Sequence, residues 1–238
     1  MAIAVERGGR PLAATAIAAL AEWAPQHGPV TGLHAGDVGW HLRLDDADLD
    51  GTIVVARDGG EIVATAIVES EGLRPTLRPD RKDDEELAAA LGELVQSLTE
   101  TGTEVFCDAA PDSALRGWLI GHEWSLDPDP WALFYRPLSD AEANLGEGLA
   151  CPVDTDDDVR DRVNVQFNAF QHSTFTVDRW HQMAAGPGYR RDLDLLRRDD
   201  SGVAVAGATT WTAGPERVGI LEPVGTTATM SLADTGKR

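Results

Sequence analysis

The sequence predicts an α/β fold made of two related units, of which the second is incomplete. Runs rich in Val, Ile and Thr, typical of strands, alternate with runs that place Leu and Ala on one helical face. Each half contains a hairpin pattern followed by a Leu-x-Pro strand, Leu73–Pro75 in the first half and Leu221–Pro223 in the second. The last strand, Arg217–Thr226, is followed only by Thr227–Arg238, which has no apolar periodicity.

The charge of the chain excludes two classes of partner. The 238 residues include 40 Asp and Glu against 20 Lys and Arg, which gives a formal net charge of −20. Such a surface repels nucleic acid and anionic lipid, so we expect no nucleic acid and no membrane as a partner. The hydrophobic content of 42% is enough for a packed core.

The cysteines and the N-terminus indicate a cytoplasmic protein, and no metal site is predicted. Cys107 and Cys151 show neither a Cys-x-x-Cys pair nor a metal-ligand spacing, so we interpret them as two reduced thiols. The apolar run Ala13–Ala21 is too short to span a bilayer, and the start of the chain lacks the features of a signal peptide. The acidic run Asp156–Asp158 is explained by the start of a helix without an ion.

Residues 1–138 are predicted to form the first domain. Its clearest element is a hairpin, in which Thr52–Arg57 and Glu61–Glu69 flank the turn Asp58–Gly60. Helices are predicted at Pro11–Trp23, from Asp84 to Leu98, and at Ser113–Gly121. The other predicted strands are Leu73–Leu77, Thr103–Cys107 and Trp131–Arg136. The type of the short segment that ends at Leu44 is left open.

Residues 139–152 are predicted to be a linker because the hydrophobic pattern is lost there, and residues 153–238 are predicted to form the second domain. Asp154–Asp158 supplies an N-cap and an acidic first turn for a helix through Phe170. A second helix and a hairpin precede the last strand. These elements are Thr176–Ala185, Leu193–Arg197 and Val203–Trp211.

Several of these segments resemble the GNAT family of acyl-CoA-dependent N-acetyltransferases, and in particular the actinobacterial proteins with two such domains in tandem. The segments are Phe170–Trp180, Met183–Arg190 and above all Leu221–Thr226, and Asp127–Trp131 fits the same pattern in the first half. The resemblance implies two GNAT-like units, each a mixed sheet flanked by helices. It also implies that acetyl-CoA is the co-substrate and that a small-molecule amine accepts the acetyl group.

The same resemblance implies where acetyl-CoA binds. In the family, the strand that corresponds to Gly219–Thr226 holds the pantetheine arm through its backbone, so Val224, Gly225 and Thr226 are the predicted cofactor-binding residues. A glycine-rich loop at a helix N-terminus then wraps the pyrophosphate, and neither half shows one. In the first half Asp80–Glu86 stands in its place, and five of these seven residues are acidic. We therefore predict that the first half does not bind CoA.

Glu222 is the predicted catalytic residue. By strand alternation it shares a face with Val224 and Thr226, where a carboxylate with a pKa raised by burial suits the removal of a proton from an amine. The alternative is a Glu at a strand edge that pairs with an Arg. By the resemblance, the loop at His172, Ser173 and Phe175 walls the acceptor site, although a loop His is more often simply solvated. Trp211 is expected either to line the acceptor groove or, more simply, to pack.

The tail Thr227–Arg238 has no family character. The chain has only two lysines and is rich in Ala, Gly, Arg and Asp, which indicates a GC-rich gene. Read in a shifted frame with permissible third bases, the tail gives two glycines at the spacing that the pyrophosphate loop requires. We therefore hypothesise a frameshift or truncation that impairs the acetyltransferase. The alternative is a non-catalytic binding or regulatory module, and an open sheet edge favours self-association.

Overall fold

The computed structural model describes residues 2–69, 72–99, 104–130, 133–139 and 150–227. The strands of these residues form two sheets, and helices cover their faces, which confirms the α/β class. The first sheet contains β1 (Ala4–Gly8), β2 (Ile53–Asp58), β3 (Glu61–Glu69), β4 (Gly72–Leu77) and β5 (Phe106–Cys107). The second contains β6 (Cys151–Pro152), β7 (Asp194–Arg198), β8 (Ala204–Trp211) and β9 (Ile220–Thr226).

The first sheet has the strand order β1-β2-β3-β4-β5 and is mixed. Its neighbouring strands are antiparallel except β4 and β5, which are parallel. The predicted hairpin is confirmed as β2 and β3. Strand β5 pairs with β4 only at Gly72 and Leu73, so the remainder of β4 has no partner on that side among the described residues.

Helices cover both faces of this sheet because its side chains alternate between the two faces. The helices of the first half are α1 (Arg10–Trp23), α2 (Ala35–His41), α3 (Asp46–Leu49), α4 (Glu85–Leu98) and α5 (Ala114–Gly121). On one face, α1 and α2 pack against Ile53, Val55 and Ile67. On the other face, α4 and α5 pack against Val54 and Ala66.

The second sheet has the order β6-β7-β8-β9 and is antiparallel throughout. Two helices precede β7, namely α6 (Asp156–Ala169) and α7 (Val177–Ala184). The order of strand, helices and then three antiparallel strands is the one with which the first half begins. In both halves, the strand that opens the hairpin has an irregular register near its end, at Arg57 in β2 and at Arg198 in β7.

A buried carboxylate organises the core of the second half. Asp194 is fully buried at the start of β7, and its Oδ1 accepts hydrogen bonds from Arg162 Nε at 2.9 Å and from Thr209 Oγ1 at 3.0 Å. Its Oδ2 accepts from Trp180 Nε1 at 2.9 Å and from the Tyr189 hydroxyl at 3.0 Å. Burial, reinforced by the Asp194 charge, raises the pKa of Tyr189. The network ties α6, α7 and β8 to β7.

The two halves meet at α2. This helix contacts both α7 and β8. The Trp40 and Phe175 rings lie 5.1 Å apart across the boundary. Backbone groups also join the halves, since Val218 N donates to Pro25 O at 2.9 Å and Arg217 Nη1 donates to Ala24 O at 2.6 Å.

The structure confirms one predicted helix start and corrects one predicted strand. Thr155, within the predicted N-cap run Asp154–Asp158, caps α6, and its hydroxyl and the Asp158 carboxylate form a capping box. No strand forms in residues 133–136 of the predicted Trp131–Arg136 strand, where the two-residue β5 offers almost no ladder to pair with, and Phe134 is 95% exposed. Residues 131, 132 and 228–238 lie outside the described residues. The frameshift hypothesis and the division into domains therefore stay predictions.

Candidate functional site

A cavity of about 170 Å³ lies at the boundary between the two halves. The first half contributes α2 and the turn after it, the end of β3, and β4. The second half contributes Trp211, Ile220 and Glu222. The predicted catalytic residue therefore faces a cavity, and the opposite wall belongs to the first half.

Helix α2 approaches the second sheet closely because two of its residues have no side chain. A Cβ on Gly39 would lie 2.6 Å from Trp211 Cζ3, and a Cβ on Gly36 would overlap the same indole. The start of α2 is fixed by His34, whose Nδ1 accepts from Gly36 N at 3.0 Å, while Asp37 Oδ2 accepts from His34 N at 2.6 Å. Trp211 is 2% exposed, so it both packs against α2 and lines the cavity.

A β-bulge in β9 presents Glu222 to the cavity. Val224 pairs with Ala208 and Leu221 pairs with Thr210, so Glu222 and Pro223 both lie opposite Thr209. The carbonyl oxygen of Glu222 accepts a hydrogen bond from Trp211 Nε1 at 2.7 Å, which fixes the bulge. The predicted alternation agrees with the exposure of Glu222, Val224 and Thr226, but only Glu222 lines the cavity.

The Glu222 carboxylate has no hydrogen bond or ion pair with any other residue in the described part of the chain. The alternative of a Glu paired with an Arg is therefore not what the structure has, although Arg74 and Arg43 are close enough to lower its pKa in part. Partial burial and then the Asp37 charge outweigh them, and the pKa of Glu222 is raised. A raised pKa makes this carboxylate a stronger base than an ordinary glutamate.

Arg74 on β4 is the centre of an ion-pair network in the first half. Its Nη2 donates to Asp37 Oδ1 at 3.0 Å, and its Nη1 lies 3.5 Å from Glu69 Oε1. Although burial lowers the pKa of Arg74, Asp37 and Glu69 raise it. Arg74 occupies in Leu73–Pro75 the position that Glu222 occupies in Leu221–Pro223, and both side chains line the same cavity.

His41 presents a free ring nitrogen to this cavity. Its Nδ1 lies 2.8 Å from the carbonyl oxygen of Asp37, and because a carbonyl only accepts, Nδ1 carries the proton. Burial lowers the pKa of His41, so the ring is neutral near pH 7 and its Nε2 is an acceptor. This nitrogen lies 3.6 Å from Glu69 Oε1, which is also an acceptor.

Arg43 contributes the second cation of the cavity. Its guanidinium stacks over the Trp40 ring at 4.4 Å, and its Nη1 donates to Trp40 O at 2.8 Å. Burial, together with the neighbouring Arg179, lowers the pKa of Arg43 to about 10, which leaves the group charged near neutral pH. No carboxylate of the described residues lies within ion-pair distance of it.

The outer edge of β9 runs on from the cavity. Thr227 N donates to Val205 O at 2.9 Å, and in an antiparallel pair successive residues point their backbone groups to opposite sides. The N–H and C=O groups of Val224 and Thr226 therefore point away from β8, to an edge that no other described strand covers. The backbone groups of Gly225 point towards β8. A Cβ on Gly225 would lie 2.6 Å from Ala169 Cβ, so the small size of this residue allows α6 to pack closely.

The other residues that the sequence singled out lie elsewhere. His172 is exposed on its loop, Ser173 Oγ accepts from Phe175 N at 3.3 Å, and Phe175 is buried against Trp40. None of the three lines the cavity. The sequence analysis missed the first-half residues, and the signal that could have found them is Gly36–Gly39, two glycines one helical turn apart beside Trp40 and His41.

In the described part of the chain, no group of three or more His, Cys, Asp or Glu side chains is arranged to hold a metal ion. None of the helices there is both long and apolar enough to cross a bilayer.

Comparisons with known proteins found similarity among solved structures but not among family models or curated proteins. No protein-family model matches the chain, and no curated protein matches it. Among solved structures, the chain is similar to a GCN5-related N-acetyltransferase from Sphaerobacter thermophilus, with 21% sequence identity and a TM-score of 0.44. The similarity covers 94% of this chain and 76% of that one. The proposal that follows therefore depends on the cavity and on β9 rather than on this likeness.

Proposed function

We propose that the chain transfers an acetyl group from acetyl-CoA to a small-molecule amine that is held in the cavity between the two halves. The observation that carries the proposal is the Glu222 carboxylate, which lacks a partner within the described residues and faces the cavity from a β-bulge. Beside it runs a strand edge with free backbone groups. The base can accept the proton of an attacking amine, and the edge offers hydrogen bonds to the arm that carries the thioester.

Glu222 is the general base in this proposal. An amine attacks a carbonyl carbon only when its nitrogen has a lone pair, so a proton must leave it before or during attack. The Glu222 carboxylate accepts that proton, and the raised pKa favours the transfer. Acetyl-CoA, when bound, supplies the thioester whose C–S bond breaks as the new C–N bond forms. His41 Nε2 is a second acceptor on the facing wall.

The edge of β9 fits the pantetheine arm of acetyl-CoA. The outward backbone groups of Val224 and Thr226 provide both a donor and an acceptor for the amides of such an arm. An arm along this edge would bring its thioester end towards Glu222. Gly225, predicted with them, has its backbone groups turned to β8, so we assign it a supporting role only. The sequence shows no glycine-rich loop after β9 for the pyrophosphate, so we expect acetyl-CoA binding and turnover by this chain to be weakened.

The first half is proposed to serve as a wall of the acceptor site rather than as a second CoA site. Its basic residues in the segment after β4 are already neutralised: Arg78 pairs with Asp80 and Glu61, and Arg81 pairs with Asp84 and Asp58. The Asp84 carboxylate accepts from Leu87 N and so occupies the start of α4, where a pyrophosphate would have to bind.

The ion pairs around Arg74 favour the non-catalytic alternative. Asp37, Arg74 and Glu69 satisfy one another without a ligand, as they would in a module that kept the fold and lost the reaction. The two readings differ in acetyl-CoA binding and in turnover, and both can be measured.

The test compares Glu222→Gln with Glu93→Gln, an exposed glutamate on α4 that does not line the cavity. Calorimetric titration with acetyl-CoA and release of free CoA thiol with a panel of small amines are measured for each protein. We expect the wild type and both variants to bind acetyl-CoA alike. Glu222→Gln should lose about a hundredfold or more in kcat because the base is absent.

Two results would count against the proposal, the first against the acetyltransferase and the second against Glu222 as its base. One is wild-type protein that neither binds millimolar acetyl-CoA nor releases thiol, which would favour the non-catalytic module. The other is Glu222→Gln turning over as fast as Glu93→Gln, which would remove Glu222 from the reaction.

A further inference from the structure

The cavity contains unsatisfied groups of both signs, on different residues. Arg43 has five guanidinium N–H donors, of which one is used by Trp40 O. Glu222 has a carboxylate without a hydrogen-bond donor in the described residues. The two interact electrostatically, but they do not lie within ion-pair distance of each other. Groups that attract each other yet stay apart leave room for a ligand that bridges them.

The acceptors of this space favour an ammonium or amine group. His41 Nε2 and Glu69 Oε1 are both acceptors, and 3.6 Å is too long for a hydrogen bond between them. Glu69 Oε1 already lies 3.5 Å from Arg74 Nη1 but keeps a second lone pair, so a donor placed between the two acceptors would hydrogen-bond to both, and an ammonium group brings three N–H donors. Glu222 lies in the same cavity and accepts the third. An amine therefore meets acceptors from both halves of the chain.

The guanidinium of Arg43 favours a planar anion. The stacking of Arg43 on Trp40 holds the guanidinium plane, and the hydrogen bond to Trp40 O fixes one edge of it. The remaining N–H groups form the fork that binds a carboxylate through two parallel hydrogen bonds. Arg74 does not compete for this role because Asp37 and Glu69 already occupy it.

We infer that the acceptor is a small zwitterion, an amine that also carries a carboxylate, with its amine at His41, Glu69 and Glu222 and its carboxylate at Arg43. This inference rests on the proposed function for the role of the amine, but not for its binding. The volume of about 170 Å³ agrees with such a size. A cavity of roughly 150 Å³ accommodates a molecule as large as benzene.

The first experiment needs no variant. Calorimetric titration of the wild-type chain, without acetyl-CoA, compares 4-aminobutanoate with 4-aminobutanamide and with butylamine. The aminocarboxylate is expected to bind about ten- to a hundredfold more tightly than either, because only it makes the charged hydrogen bonds to Arg43. Glycine, β-alanine and 6-aminohexanoate extend the series. If no aminocarboxylate of the series binds more tightly than butylamine, the inference is wrong.

The second experiment assigns the preference to its residue. Arg43→Met keeps the stem over Trp40 but removes the charge, and it should bind the aminocarboxylate and its amide equally. Arg43→Lys should keep part of the preference. Arg160→Met, on the exposed surface of α6 and outside the cavity lining, is the control and should behave as the wild type. A preference that survives in Arg43→Met would overturn the assignment.

The two proposals fail in different ways. Tight binding of an aminocarboxylate without thiol release from acetyl-CoA would reject the acetyltransferase and retain the zwitterion site. Acetyl transfer to butylamine and to the aminocarboxylates with equal kcat/KM would retain the acetyltransferase and reject the zwitterion site.

Discussion

At the scale of single residues, position in the fold decides what a charge does. Asp194 and Glu222 are both acidic residues on the second sheet, but the Asp194 carboxylate accepts four hydrogen bonds in the core, whereas the Glu222 carboxylate accepts none from its described neighbours. A fully satisfied buried carboxylate stabilises one arrangement of the elements around it. An unsatisfied one at a cavity is available to a ligand. The first is a structural residue and the second is a functional candidate.

The structural role of Asp194 predicts a large loss of stability in Asp194→Asn. The change leaves the buried Arg162 guanidinium without its counter-charge, which should lower the free energy of unfolding by about 3–5 kcal/mol. Urea unfolding followed by far-UV circular dichroism measures the loss. Asp192→Asn is the control, since Asp192 pairs with Arg190 at the surface and its removal should change little. Equal effects of the two changes would contradict the role of the network.

At the scale of elements, the sequence predicted best what local patterns determine. The hairpin of β2 and β3 and the helix α4 lie within a residue of their predicted bounds, whereas the strand β9 begins three residues later than predicted and ends as predicted. Their signals, a glycine turn, a leucine face with an Asp N-cap and a β-branched run, are all local. Strand β1 and helix α2 were not predicted. Helix α2 is short and has two glycines, and it is held by its His34 cap and by contacts with Trp211 that are distant in sequence.

The same reasoning explains what could be predicted of the site. Glu222 was predicted because its strand resembles one in a known enzyme family and because strand alternation gives its face. The bulge that turns it into the cavity depends on the pairing of β9 with β8, and the wall of the first half depends on contacts between residues more than 140 positions apart. Without these long-range contacts, the sequence could not assign His41, Arg43 and Arg74 to the site.

The close packing of α2 predicts that alanine destabilises the chain at Gly39, whereas at Gly117 in α5 it stabilises the chain. Gly39→Ala places a methyl group against the Trp211 ring and should lower the free energy of unfolding by about 1–3 kcal/mol. Gly117→Ala is the matched control, because Gly117 lies in α5 with nothing within 4 Å of an added Cβ. That change should stabilise the chain by roughly 0.5–1 kcal/mol through helix propensity. Thermal and urea unfolding measure both. A Gly39→Ala protein as stable as Gly117→Ala would show that the contact with Trp211 is not tight.

At the scale of the whole molecule, corresponding segments of the two halves meet. Arg74 and Glu222 hold the same position in the two Leu-x-Pro strands, and α2 packs against α7, the second helix of the other half. The cavity lies between these corresponding segments. This arrangement explains why neither half contains the site alone. It also means that any group that couples the halves is coupled to the site.

His34 is such a group, and it predicts how stability depends on pH. Its Nδ1 accepts from Gly36 N, so in the neutral ring Nε2 carries the proton and donates to Val218 O in the other half at 3.0 Å. Burial lowers the pKa of His34, as it does for His41. The unfolded chain therefore binds protons that the folded chain does not. The stabilisation is complete above the ordinary pKa of about 6.5 and is lost as the pH falls below it.

We expect the free energy of unfolding of the wild-type protein to decrease between pH 8 and pH 5.5. His34→Asn keeps a side chain that caps α2 but removes the donor to Val218 O, so it should be less stable at pH 8 and should lose less on acidification. The dependence of the free energy of unfolding on pH that remains in His34→Asn comes from His41. His172→Asn, at an exposed loop position where Asn tolerates the left-handed backbone, should keep the wild-type slope. Urea unfolding at each pH measures the three curves. If the free energies of unfolding of His34→Asn and the wild type depended on pH in parallel, His34 would not be the group whose protonation weakens the boundary between the halves. The coupling of the site to His34 would then have to be abandoned.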